Sequence, residues 1–150
     1  MLPSQVKTSI EGTHRLFDHK SKKYIRITRR AESRDDVVDA TLDGSAASYF
    51  EVKIDPSSTQ FGAVTAVFIS HLGENGVRRY LSYCWDEHAS HYRAVLSTTP
   101  FSWAVRAQDA GKSLKFSIAW STYFQLTVLD SKVVQVYDKG NNYQDWSFVA

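Results

Sequence analysis

Three times in this chain an aromatic or aromatic-aliphatic pair is followed, some two dozen residues on, by a second aromatic with an apolar residue two places further. Tyr24-Ile25 is followed by Phe50 and Val52, Tyr80-Leu81 by Trp103 and Val105, and Tyr123-Phe124 by Trp146 and Phe148. From tyrosine to second aromatic the separations are 26, 23 and 23 residues, and the tyrosines lie 56 and 43 residues apart. Self-similarity on that scale means one supersecondary unit used several times, which restricts the fold more than any local signal does.

Between these landmarks apolar residues alternate with polar ones at period two, the pattern of half-buried strands. Strands are expected over 13–17, 23–27, 37–42 and 48–54, then 63–70, 78–84, 91–97 and 101–107, then 113–120, 123–129, 133–138 and 145–149. The joining segments concentrate Asp, Asn, Ser, Gly and Pro, most of all Asp55-Pro56-Ser57-Ser58-Thr59-Gln60-Phe61-Gly62, as turn chemistry requires. No helical stripe interrupts them. The nearest approach is 31–40, where the β-branched Val37-Val38 works against a helix. The reading is twelve short strands in one domain, 1–150, with units at about 13–54, 63–107 and 113–150.

Composition closes off several classes of function. With 43% apolar residues and 23% charged, the 150 residues are those of a soluble globular domain with a sizeable core. A net charge of +2 is too small to argue for nucleic acid. No apolar run approaches the ~18 residues of a membrane span, and the first residues show no charged-then-apolar leader. Cys84 is the single cysteine, so an internal disulfide is excluded and a reducing, cytoplasmic setting is expected. Beside Trp85 at a strand end, Cys84 reads as a small core residue.

Three sets of four strands with these landmarks resemble the β-trefoil, in which four-stranded units related by a pseudo-threefold axis close a six-stranded barrel capped by three hairpins. The resemblance covers 13–150, and the terminal Asp145-Trp146-Ser147-Phe148-Val149 is similar to the last strand of many such proteins. A two-sheet sandwich also accommodates short strands with frequent turns, but the threefold recurrence favours the trefoil.

Little in the chain points to catalysis. His88-x-x-His91, with Asp86 and Glu87, is the densest group of possible metal ligands, but it lacks the helical His-Glu-x-x-His context that makes such a signal specific. It reads as a polar loop, and no metal or cofactor is expected. No nucleophile elbow, phosphate-cradling loop or dinucleotide fingerprint occurs, so a non-catalytic binding protein is expected. The basic run Lys20, Lys22, Lys23, Arg26, Arg29, Arg30 and Arg34 is followed at once by Glu32, Asp35 and Asp36 and reads as a solvated, locally paired surface.

Binding residues are therefore sought in the loops. Gly73-Glu74-Asn75-Gly76 contains Asn-Gly, the strongest short hairpin signal, because both residues tolerate positive φ. In position this loop also resembles the asparagine-bearing loop of the mushroom cysteine-protease inhibitors of the trefoil class, the mycocypins. That resemblance implies an inhibitory loop here, acting on a cysteine or aspartic protease in fungal defence, with the protein a monomer or weak dimer. Turns that correspond to further inhibitor loops are Asp18, His19 and Lys20, then Asp43 and Gly44, and the inter-unit Pro56, Ser57 and Ser58. Fungal trefoil lectins are the alternative. Gln144-x-Trp146 matches the ricin-type motif once, without its repetition in the other units, and Trp85, Asp86, His88 and Tyr92 are the possible sugar contacts. A third reading, resembling fascin and hisactophilin, has the basic first unit bind actin.

Overall fold

A computed structural model of the chain describes residues 11–29, 36–56, 64–87, 91–107, 116–119, 124–129, 133–138 and 146–150. It is all-β. Among the described residues are twelve strands: β1 (Gly12–Asp18), β2 (Lys23–Arg29), β3 (Asp36–Thr41), β4 (Phe50–Ile54), β5 (Val64–Leu72), β6 (Arg78–Asp86), β7 (His91–Ser97), β8 (Ser102–Ala107), β9 (Phe116–Ala119), β10 (Phe124–Leu129), β11 (Val133–Asp138) and β12 (Trp146–Val149). One three-residue 3-10 turn, Gly44–Ala46, precedes β4. No helix among the described residues is long and apolar enough to cross a membrane.

All twelve strands belong to one curled antiparallel sheet. β1 pairs with β4 and β12, β4 with β5, β5 with β8, β8 with β9 and β9 with β12. The other six strands form the hairpins β2–β3, β6–β7 and β10–β11. Single rungs or short ladders join those hairpins to one another: Val37 to Val95, Tyr92 to Val136 and Asp39 to Val133. Curling lets strands far apart in sequence pair with one another, which leaves few unpaired edges.

The alternation anticipated from sequence sends one face of each strand inward. Leu16, Ile25, Phe50, Ile69, Leu81, Trp103, Leu126 and Trp146 are all fully buried in a single apolar cluster. Each such side chain contributes roughly 1.5–3 kcal/mol over its exposed state. Two of the three second aromatics are also tied by hydrogen bonds. The Trp103 indole N–H donates to the Leu81 carbonyl at 2.8 Å, and the Trp146 indole donates to the Leu126 carbonyl at 2.9 Å. Phe50 carries no donor, and at the corresponding place the Ser48 backbone N–H donates to the Ile25 carbonyl at 3.1 Å.

That correspondence corrects one landmark. Ile25, Leu81 and Leu126 are the equivalent buried residues, so Gln125-Leu126 stands where Tyr123-Phe124 was expected, two residues later along β10. Tyr123 lies outside the described residues. Strand limits otherwise agree to within three residues. β4 starts at Phe50 rather than 48, and residues 47–49 between the 3-10 turn and the strand are irregular.

Candidate functional site

The turn between β5 and β6 lies beside a concavity. Gly73 N–H donates to the Val77 carbonyl at 2.9 Å, and Gly76 N–H to the Gly73 carbonyl at 3.0 Å. Asn75 Oδ1 accepts from the Val77 N–H at 3.1 Å, so the carboxamide oxygen helps to fold its own turn. Among the described residues only Gly76 of this turn has a positive φ, +80°. This differs from the Asn-Gly hairpin expected from sequence, in which both residues would be left-handed. The loop is longer than two residues, and one left-handed residue suffices to close it.

A pocket of about 430 Å³ opens against this turn. Gly73, Glu74, Asn75 and Val77 form one side, with His71 of β5 and Arg79 of β6, while Ile27 of β2, Leu96 of β7 and Ser48 complete the lining. His71 and Arg79 are directly opposite across the β5–β6 ladder, and so present their side chains on the same face of the hairpin. His71 Nδ1 lies 3.0 Å from the Tyr49 carbonyl oxygen, and its ring stands at 62° to that of the buried Phe50, with the ring centroids 6.2 Å apart. Ser48 Oγ accepts from the Ile27 N–H at 2.9 Å. Polar groups from two separate parts of the chain thus share one concavity with Ile27, Val77 and Leu96.

Of the residues anticipated from sequence, Gly73, Glu74 and Asn75 line this pocket, and Gly76 sets their turn. Ile27, Ser48, His71, Arg79 and Leu96 were not anticipated as binding residues. Only the His71–Arg79 pairing could have been found in advance, by counting back from the turn.

The other anticipated loops serve the fold. Asp18 is fully buried, and its carboxylate accepts from the Ser21 N–H at 3.0 Å and the Ser21 hydroxyl at 2.7 Å, bracing the β1–β2 turn. In that turn Lys22 takes a left-handed φ of 63°. His19 Nε2 is 2.6 Å from Ser147 Oγ, which ties the turn to β12, while Lys20 is exposed.

Asp43 and Gly44 belong to the 3-10 turn, which Arg15 fastens from below. The Arg15 guanidinium donates to the Gly44 carbonyl at 3.2 Å and lies over the rings of Tyr24 and Tyr49, 5.3 and 5.7 Å from their centroids. Pro56 is exposed; Ser57 and Ser58 lie outside the described residues.

The possible sugar contacts at the far end of β6 divide similarly. Trp85 is 52% exposed. Its ring meets half-buried Tyr92 edge to face at 5.1 Å. Six residues of extended strand separate it from Arg79, about 20 Å, so it is no part of the pocket. Asp86 is on β6, and His88 lies outside the described residues.

Cys84 is exposed rather than a core residue. Leu81, Tyr83 and Trp85 share one face of β6, and Cys84 falls on the other, as period two demands. Among the described residues no three His, Cys, Asp or Glu side chains converge as metal ligands would. Of the basic run, Arg30 and Arg34 are outside the described residues. Trp146 of the Gln-x-Trp motif is fully buried, in a core role, and Gln144 is outside the described residues. No protein-family model, curated protein or solved structure matches the chain.

Proposed function

We propose that the chain is a β-trefoil whose pocket beside the β5–β6 turn binds carbohydrate, without catalysis. The trefoil reading draws on three recurrences: four strands per unit, a hairpin in each unit that touches the other two, and a buried aliphatic under Phe50, Trp103 or Trp146. The glycan reading rests on one observation. His71, Glu74, Asn75, Arg79 and Ser48 line a concavity together with the apolar Ile27, Val77 and Leu96. A sugar presents hydroxyls at its edges and C–H groups on its faces, and such a wall matches both. About 430 Å³ lies in the size range of small-ligand sites.

A glycan array run with the wild type and with Val77→Trp tests the reading. Val77 is exposed at the pocket wall, so an indole there fills the pocket and spares the core. The expected result is a small set of glycan hits that the variant loses. An empty wild-type array, or hits that survive in Val77→Trp, refutes it.

The protease-inhibitor reading keeps one favourable observation: the exposed turn from Glu74 to Gly76 is internally braced, and a braced loop loses little entropy on docking. Against it stands Asn75, whose carboxamide oxygen is already engaged within the turn. Nanomolar inhibition in a panel of papain-like, asparagine-specific and pepsin-like proteases, abolished by Asn75→Ala, would restore it as the first reading.

A further inference from the structure

The bond between His71 and Tyr49 fixes more than the position of an imidazole. A carbonyl oxygen can only accept, so at 3.0 Å the hydrogen must sit on His71 Nδ1. In the neutral ring Nε2 is then the bare nitrogen, an acceptor without a hydrogen. Two contacts hold the ring in place, the Tyr49 carbonyl at one nitrogen and the inclined Phe50 ring, its centroid 6.2 Å away. His71 is half-buried in the wall of the pocket, opposite Arg79 in the hairpin register.

What sets this acceptor apart from the other pocket groups is that it is uncharged in the neutral ring and held by the Tyr49 carbonyl. An arginine offers only donors. The Asn75 oxygen already takes one hydrogen from the Val77 N–H and the Ser48 oxygen one from the Ile27 N–H, and the Glu74 carboxylate, a further acceptor, is carried by an exposed residue of the turn.

Resting on the glycan reading above, we infer that His71 is the specificity-determining residue of the pocket: its Nε2 accepts a hydrogen bond from a hydroxyl of the bound sugar, and the Tyr49 carbonyl sets the tautomer that makes it an acceptor. The pocket should therefore discriminate against an analogue in which that one hydroxyl is replaced by hydrogen or by a methyl ether. Either change removes the donor that His71 requires, and a polar group of the site left unpaired under a bound ligand is what such discrimination draws on.

The test is nitrogen-15 NMR of the histidine side chains in the uniformly labelled full chain, free and titrated with galactose, mannose and N-acetylglucosamine. In the free protein His71 should show the hydrogen on Nδ1 and a bare Nε2; the opposite tautomer overturns the inference at once. On addition of a sugar that binds, the Nε2 resonance should move toward the hydrogen-bonded range while Nδ1 stays put. His71→Phe keeps a ring of similar shape and should weaken that sugar's binding roughly tenfold, whereas His71→Gln, which restores an acceptor, should recover most of it.

If sugars shift other pocket resonances but leave Nε2 unmoved, and His71→Phe binds normally, the inference fails while the glycan reading stands. If none of the sugars moves any pocket resonance, both fall. Should His71→Phe prove unfolded, the wild-type Nε2 shift and the matched deoxy sugar decide the matter without it.

Discussion

The 3-10 turn at Gly44–Ala46 and the turn at Gly73–Gly76 look alike in sequence: both are short, polar, glycine-bearing links ahead of a strand. In the fold they have opposite roles, and the difference is in what lies underneath. Beneath Gly44 sit the Arg15 guanidinium and the Tyr24 ring, so close that a Cβ there would come within 3.1 Å of Arg15 Nη1 and 3.2 Å of the ring. Arg15 also donates to the Ala150 carbonyl at 2.5 Å, which couples that turn to the end of β12. Among the described residues the Gly73–Gly76 turn is braced by hydrogen bonds within the turn, a Cβ on Gly76 would meet nothing within 4 Å, and beside it is the pocket. A turn packed on its underside becomes part of the scaffold, while one beside a concavity is left to meet a ligand.

This contrast can be broken from either side. The largest effect is expected from Gly44→Val, whose side chain must displace Arg15 and Tyr24 together. Overpacking of that kind costs about 1–3 kcal/mol, to be read as a lower midpoint in denaturant, with sugar binding preserved in the fraction that remains folded. Gly76→Ala comes next, at about 1–2 kcal/mol, because the penalty is the left-handed backbone alone. Gly76→Asn should recover part of it, since asparagine tolerates that region. If Gly44→Val is the milder of the two, the packed-turn account is wrong.

The smallest effect concerns pH. The Ser45 hydroxyl, followed by the Ser45 backbone N–H, holds the Asp43 carboxyl below its ordinary value. A carboxyl with a folded-state pKa below its unfolded one adds stability above the unfolded value, and that contribution is lost as pH falls through the folded one. The stability difference between wild type and Asp43→Ala should therefore be fully present at neutral pH and shrink below about pH 4. A difference that grows on acidification would contradict the capping role.

Most of the strands were legible because period two records which side of a strand faces the core. The same property explains the one misplaced landmark. A shift by two residues keeps every side chain on its face, so periodicity alone cannot separate Tyr123-Phe124 from Gln125-Leu126, and the aromatic pair was the more conspicuous choice. The Leu126 carbonyl, held by the Trp146 indole, separates them.

The pocket was legible only at its rim. Asn75-Gly76 announces a turn, but Ile27, Ser48 and Leu96 reach the same cavity from β2, from the approach to β4 and from β7, and no local pattern records that meeting. Cys84 shows the converse: it reads as a core residue by type, yet the alternation of its own strand sets it on the face opposite to the buried Leu81, and it is exposed.

The most direct test of the account is amide shift mapping on the nitrogen-15-labelled protein, titrated with the strongest glycan found on an array. The account predicts that the perturbed amides centre on His71 through Arg79, with Ile27, Ser48 and Leu96 responding from the opposite wall. Perturbations centred instead on Asp43 through Ala47, or on Trp85 and Tyr92, would place binding elsewhere and contradict it.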